Sequence, residues 1–400
     1  MNVLWVSSHI ADPTLGGGWA YEYELLVHAA THHRVTVVSG ELEAGAPAPA
    51  VLTDLGVEVV GAHVPMRPVP RNKLQFLSRL ATASEPSGAW LFEPVRTSMA
   101  AALARVQSSG QFDLVQVFPQ ESAPLVAASA GPTALLLGDS YAVQADREQR
   151  AARSTKDKLR LTLERRAARR YERRWYPQAD AVACVSSADA AVLRDLCGIE
   201  VDVVPVGVGD EWFAPPTERS HDLVVLVGAL DYLPNVDGTV WFCDEAWPHV
   251  RERAPHARLR VVGRRPPPEV RRAVADAGGE LLADVPDVRP HYWEAAVAVA
   301  PTRLGSGVKN KVLHAAACQA PQVGTVFAFD GTDAVAGRDA LMADDARGIA
   351  DAVVATLADP AGARERADAA RQVALRHSRQ AAGAALDAFW ARALGRKPAP

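Results

Sequence analysis

The stretch Arg303–Pro321, RLGSGVKNKVLHAAACQAP, sets two glycines around a serine, adds two lysines, and continues as an apolar pattern at helical spacing. It follows AVAVAPT at 296–302, a short apolar run that reads as a buried strand. Gly305 and Gly307 let the backbone approach a ligand closely. The helix beginning near Lys309 presents unpaired N–H groups and a partial positive charge, and such a terminus binds anions. Arg303, Lys309 and Lys311 add full positive charge, so the segment suits a diphosphate. It is not a Walker A loop, because GxxxxGK[ST] does not fit. The competing reading is a glycine-softened turn before a core helix, with solvated lysines.

Working outward, the same strand-then-helix scheme recurs. In the first half, NVLWVSS, RVTVVSG, GVEVVGAHV, FDLVQVF, TALLLGD, ADAVACVS and VDVVPVGV read as strands. In the second half, DLVVLVGAL, ARLRVVG, GELLADV, AVAVAPT and PQVGTV do the same. Short apolar runs separated by helices predict parallel sheets covered on both faces. A Gly/Pro/polar segment at about 209–221 reads as a linker. The expected domains are 1–208 and 222–375, with the tail helical throughout and 376–400 packing back on the first domain. Ligands of such sheets bind outside the carboxyl ends of the strands. That rule selects the loops LGGG, PQES, GDSY, GALDYLPN, GRRP and RLGSGVKNK.

Four hundred residues suit two cores better than one. A composition 48% hydrophobic and 22% charged describes a globular chain, and a net charge of −4 gives no general bias toward nucleic acid. Cys184, Cys197, Cys243 and Cys318 form no CxxC pair, which predicts buried free thiols and a reducing compartment. With no leader-like or membrane-spanning segment read from the sequence, the expected location is cytoplasmic.

The runs VGALDYLPNVDGTVWFCDEAWP, ARLRVVGRRP, VPDVRPHYWEAAVAVAP and RLGSGVKNKVLHAAACQAPQVGT occur in that order. Together they resemble the nucleotide-sugar half of a family 4 retaining glycosyltransferase. The N-terminal LWVSSHIADPTLGGGWAYEYELLVHAATHHRVTVVSG is similar to the same family's opening strand, glycine loop and first helix. The resemblance implies an α/β GT-B fold: two Rossmann-like domains facing across a cleft, with a C-terminal helix crossing back to the N-domain. It implies that Gly305, Ser306 and Gly307 and the helix after them hold the donor diphosphate. Gly228 and Gly263 also bind the donor, Arg264 packs near the base, Asp287 and Val288 contact the base mainly through backbone, and His314 stands on the ribose side. Gly16, Gly17 and Gly18 would face the donor from the other domain.

Two departures stand out against the resemblance. The family commonly carries two glutamates where this chain has Ser306 and His314. A neutral imidazole offers one acceptor and one donor, whereas glutamate accepts two bonds from vicinal ribose hydroxyls. A basic pair after the first strand of the second domain is replaced by Ala229 and Asn235. Lys309 and Lys311 would supply the missing charge.

In the first half, Asp139 ends a strand and is the candidate to orient the acceptor hydroxyl or take its proton. An N-cap or turn role is its structural alternative. Glu121 and Tyr141 are the acceptor-binding candidates. His28 and His32 stand four apart but lack an HExxH context or a third ligand, and a helix C-terminus accounts for them better. No metal site is expected. Between Arg147 and Arg174, twelve Lys/Arg face four Asp/Glu, a net +8. This helix reads first as a solvated face, and second as a weak contact with an anionic membrane surface. Nucleic-acid binding is not expected, since no recognition motif accompanies the charge.

The implied activity is retaining, metal-independent transfer of a sugar from a UDP- or GDP-type donor to a hydroxyl acceptor: a small molecule, natural product or glycan. No cofactor beyond that co-substrate is implied. Catalytic roles fall to Asp139, Arg303, Lys309 and Lys311. Two alternatives stay open: a non-catalytic sugar-nucleotide or glycan-binding partner, and a sugar-nucleotide epimerase of the same fold.

Overall fold

The computed structural model describes residues 1–15, 17–69, 72–82, 85–152, 154–214, 218–305 and 307–395. Among them the chain divides into two compact units, Met1–Pro205 with Ala382–Pro400, and Val206–Ala381.

The first unit is built on β1 (Asn2–Ser7), β2 (Arg34–Ser39), β3 (Glu58–Gly61), β4 (Leu114–Phe118), β5 (Thr133–Leu136), β6 (Ala181–Cys184) and β7 (Asp202–Val203). All pairings are parallel, in the order β3-β2-β1-β4-β5-β6-β7. Strands such as LVQVF are buried along their whole length, as a sheet covered on both faces requires. The order reverses between β1 and β4. Ser7 lies beside Phe118 there, and the loops leaving the two strands diverge.

The second unit repeats the plan with β8 (Leu223–Val227), β9 (Arg258–Gly263), β10 (Glu280–Ala283), β11 (Val297–Ala300), β12 (Gln322–Gly324) and β13 (Leu341–Met342). Their order is β10-β9-β8-β11-β12-β13, again parallel, with the reversal between β8 and β11. An apolar core built on Val224, Leu226, Phe242, Trp247, Val261 and Val297 fills one face.

The tail differs from its sequence reading. Instead of one continuous helix there are two, Pro360–Arg376 and Arg379–Ala393. At the break, Val208 donates to the carbonyl of His377 (2.7 Å), and Arg379 donates back to that of Val208 (2.8 Å). Those bonds satisfy backbone groups that a continuous helix would have used internally. From Ala382 on, the last helix packs within the first unit. Trp390 Nε1 donates to the buried Gln116 side chain (2.6 Å), and its ring meets Trp5 edge-on. A methyl group on Gly383 would lie 2.2 Å from the His28 ring, so this contact requires glycine. His28 pairs with Asp387 (2.9 Å), which gives the histidine a structural partner. The four cysteines are free thiols, and Cys184, Cys243 and Cys318 are buried.

Candidate functional site

Two loop clusters sit at the two strand-order reversals, one in each unit. In the second unit, the loop after β11 and the one after β8 are locked together by close contacts. A Cβ on Gly238 would fall 2.5 Å from the Pro301 carbonyl oxygen. Gly305, at φ 108°, lies against Pro234 and the hydroxyl of Tyr232, and Gly307 also has positive φ, at 65°. Both positions demand the left-handed region that glycine enters without penalty. Ser306 and Gly16 lie outside the described residues.

The helix after this loop runs Asn310–Ala317. Lys309 holds its N-cap position, and among the described residues no side chain caps it. Its first N–H groups therefore lack the side-chain acceptor found at most N-termini. The three cations of the loop have different fates. Arg303 is held bidentate by Asp237 (2.9 and 3.1 Å) and lies over the Trp241 ring, so its charge is already balanced. Lys309 is buried, with its ammonium 3.8 Å from the centre of the Phe327 ring. Lys311 reaches Asn235 Oδ1 at 2.5 Å, a neutral amide rather than a carboxylate. Burial, with Lys309 nearby, pushes its pKa down to about 8. Asn235 in turn donates to the Ala229 carbonyl oxygen (2.9 Å). The lysine amine thus meets Asn235, which the Ala229 carbonyl holds in place.

Leu226, Gly228, Asn235, Thr302 and Lys311 line a small recess that opens to solvent. A Cβ on Gly228 would project toward Asn235 (3.1 Å) and Lys311 Nζ (3.4 Å). Gly263 is fixed by packing, since its Cβ would strike the Gly228 carbonyl oxygen at 1.9 Å. Immediately after β9, Arg264 Nε donates to Asp231 (3.4 Å). Asp287 is bound bidentate by Arg289, which lowers its pKa and leaves its carboxylate committed; Val288 starts the helix Arg289–Glu294.

His314 stacks on Trp212, with ring centroids 3.7 Å apart and planes 10° from parallel. Burial lowers its pKa to about 3, so the imidazole is neutral. Trp212 comes from the short helix Asp210–Phe213 beyond β7, a partner that no local pattern announces.

In the first unit the corresponding loops follow β1, β4 and β5. Gln120 ties two of them together, accepting from the N–H groups of Gly138 (3.1 Å) and Asp139 (3.3 Å). Asp139 is not the N-cap of the next helix: Ser140 is, accepting from Val143 N–H. Glu121 accepts from Ser8 Oγ (2.8 Å), and burial raises its pKa. Tyr171 donates to the Gln120 and Glu121 carbonyl oxygens and meets the Tyr141 ring edge-on. Asp139, Glu121 and Tyr141 thus belong to one cluster of loops. Gly17 (φ 58°) opens the first helix, and Gly18 passes the His9 ring, where a Cβ would lie 3.7 Å away.

The sequence reading missed Ser8, His9 and Glu22. Trp5 Nε1 donates to Glu22 Oε1 (2.6 Å), and Glu22 Oε2 is 3.2 Å from His9 Nε2. The other His9 nitrogen is 3.2 Å from Ser8 Oγ. Only the position of Ser8 and His9 just after an apolar strand hinted at them.

The basic helix Thr155–Trp175 buries Leu161, Ala167, Ala168, Tyr171, Glu164 and Glu172. Arg165 and Arg169 pair with Asp146, while Leu159 is exposed. Among the described residues, no helix is long and apolar enough to cross a membrane. Nor, among them, do three His, Cys, Asp or Glu side chains converge as a metal set.

Residues 221–359, within the second unit, match the family model described as Glycosyl transferases group 1. No curated protein matches the chain. Among solved structures, sucrose-phosphate synthase from Thermosynechococcus elongatus is similar at 17% identity and a TM-score of 0.71, over 99% of this chain and 100% of that one. Anabaena HepE in complex with UDP-glucose is similar at 15% identity and a TM-score of 0.61, over 96% and 97%. A glycosyltransferase from Rickettsia africae gives 11% and 0.65, over 98% of each chain. The chain therefore has the α/β GT-B fold, and the family match on the second unit together with that fold supports a glycosyltransferase.

Proposed function

We propose that the protein transfers a sugar, with retention and without a metal ion, from a nucleoside diphosphate sugar to a hydroxyl acceptor. The observation that carries this reading is Lys311. Its cation is brought to the β8/β11 reversal beside a helix N-terminus that no described side chain caps, and its hydrogen-bond partner is a neutral amide. Holding a cation there without a carboxylate is costly, as its lowered pKa reflects. An entering diphosphate relieves that cost, and the charge that builds on the leaving phosphate relieves it further. Cations preorganised at a developing anion commonly form a large catalytic term.

Arg303, balanced by Asp237, acts in this scheme by shaping the loop more than by lending charge. The diphosphate rests on the backbone of Gly305 and Gly307 and on the helix start. The donor's base lies toward Arg264 and the backbone of Asp287 and Val288. HepE was solved with UDP-glucose, which favours a UDP-type donor here. Acceptor recognition belongs to Glu121, Tyr141 and Asp139. Retention and independence of metal rest on the family resemblance.

Thermal unfolding against a panel of nucleotide sugars tests donor binding, since a ligand that binds only the folded state raises Tm. A UDP- or GDP-sugar is expected to do so and to be turned over. Binding with no turnover under any acceptor would instead favour the non-catalytic partner.

A further inference from the structure

The basic helix Thr155–Trp175 sorts its charges by face. Two of its acids turn inward. Glu164 accepts from Ser87 N–H (3.0 Å), and Glu172 accepts from Ser140 Oγ (2.9 Å) and Ala142 N–H (3.2 Å). A third, Asp157, accepts from Ser154 Oγ at the helix start (2.6 Å). These carboxylates are engaged with neutral donors. On the preceding helix Tyr141–Ala151, Asp146 takes up Arg165 (3.1 Å) and Arg169 (3.4 Å). The side chains of Lys156, Lys158, Arg166, Arg170, Arg173 and Arg174 are exposed. At helical spacing Leu159, Arg166, Arg170 and Arg173 fall on one outward stripe, opposite the buried Leu161, Ala168 and Tyr171.

Exposed apolar side chains gather in the same part of the first unit. Among its described residues, the four most exposed large ones are Leu74 (76%), Met66 (61%), Val69 (61%) and Leu159 (59%). Leu159 belongs to the basic helix itself. Leu74 lies in the helix Lys73–Thr82, which packs on the basic helix. Met66 and Val69 lie in the segment between β3 and that helix. The inner face of Lys73–Thr82 is occupied: Phe76 meets Trp90 (6.0 Å), and Leu80, one turn on, is buried. Leu74, two residues before Phe76, stands on the opposite face.

We infer that the outer face of helix Thr155–Trp175, together with helix Lys73–Thr82 and the segment before it, docks on an anionic membrane surface. The pairing of the two kinds of side chain selects this occupant. Anionic headgroups attract the lysines and arginines, and the boundary with the acyl chains takes up apolar side chains. Nucleic acid would satisfy the cations through its phosphates but would leave the leucines in water. The contact is interfacial, because among the described residues no helix is long and apolar enough to cross a membrane. It needs no sugar donor, so it stands apart from the proposed function.

Co-sedimentation of the whole protein with vesicles tests the inference. Vesicles of equal parts phosphatidylglycerol and phosphatidylcholine should carry the protein down, and pure phosphatidylcholine vesicles should not. NaCl at about 0.5 M should release it, because the screening length falls to about 4 Å. The variant Lys156→Gln/Lys158→Gln/Arg166→Gln should bind roughly 100-fold more weakly, at about fivefold for each basic residue near such a surface. Leu74→Ser with Leu159→Ser should weaken binding roughly 10-fold and leave its salt dependence unchanged. Circular dichroism checks that both variants fold. Failure of the wild-type protein to bind the anionic vesicles overturns the inference. So does binding undiminished in the leucine variant. Tighter binding to a single-stranded DNA oligonucleotide than to the vesicles also overturns it and assigns the face to nucleic acid.

Discussion

The two strand-order reversals make a natural pair. At the β8/β11 reversal, burial acts on bases: Lys311 and His314 are both driven toward their neutral forms. At the β1/β4 reversal it acts mainly on acids: Glu22 and Glu121 are both driven toward protonation. One backbone plan thus holds two opposite electrostatic sites. A sheet reversal supplies only a crevice; the side chains on its loops decide its electrostatics.

The largest expected effect breaks the donor side of this pair. Lys311→Ala should lower kcat/KM by roughly 100-fold or more, the usual scale for removing one preorganised charge at a developing anion. A steady-state assay with the donor found by thermal shift measures it.

Next comes packing. Gly263→Ala places a methyl group on the Gly228 carbonyl oxygen and should cost about 1–3 kcal/mol of stability, the range for forced overpacking. Chemical denaturation read through hydrogen exchange in residues 223–263 reports it, and the first unit should be unaffected.

The comparison sharpens with pH. His314 has a folded pKa of about 3, below its ordinary 6.5, so as pH falls below 6.5 the unfolded chain takes up a proton that the fold refuses. The second unit therefore loses stability as pH falls from 6.5 toward 3, by at most about 1.4 kcal/mol per pH unit for this one group. Lys311 has the same sign between 10.5 and 8, and the lowered Asp287 and Asp339 share it on the acid side. In the first unit Glu22 and Glu172 have raised pKa values, so the fold holds protons that the unfolded chain releases above 4.5. That unit loses stability as pH rises from 4.5 through their folded values, with His9 opposing part of the loss below 6.5. Protection free energies from hydrogen exchange should therefore be larger at pH 8 than at pH 5 in the second unit. The first unit should show the reverse.

The smallest effect is the stack. Trp212→Leu should cost about 1 kcal/mol, the scale of an aromatic pair, and should raise the pKa of His314. A proton NMR titration of His314 follows it.

Legibility in the sequence follows the same division. The twelve apolar runs mark β1 through β12, because buried parallel strands carry continuous hydrophobic sequence. Leu341–Met342 was missed, since a two-residue edge strand leaves no pattern. The break at His377–Ser378 was missed because it answers to Val208, far away in the chain. The loop after β11 was readable because its glycines and lysines are contiguous. Its partner Asn235 was singled out only as a departure, without its bond to Lys311. Ser8, Glu22 and Glu121 are drawn from three separate segments that the sheet order brings together around His9, so no spacing could announce their cluster.

The central claim is that the loop after β11 and the helix start beyond it hold a diphosphate with the help of Lys311. Hydrogen exchange at Gly307–Val312, with and without UDP and GDP, tests it most directly. One of these nucleotides should slow exchange there in the wild-type protein, and the slowing should be lost in Lys311→Ala. Exchange unchanged by either nucleotide, or slowed equally in the variant, would contradict it.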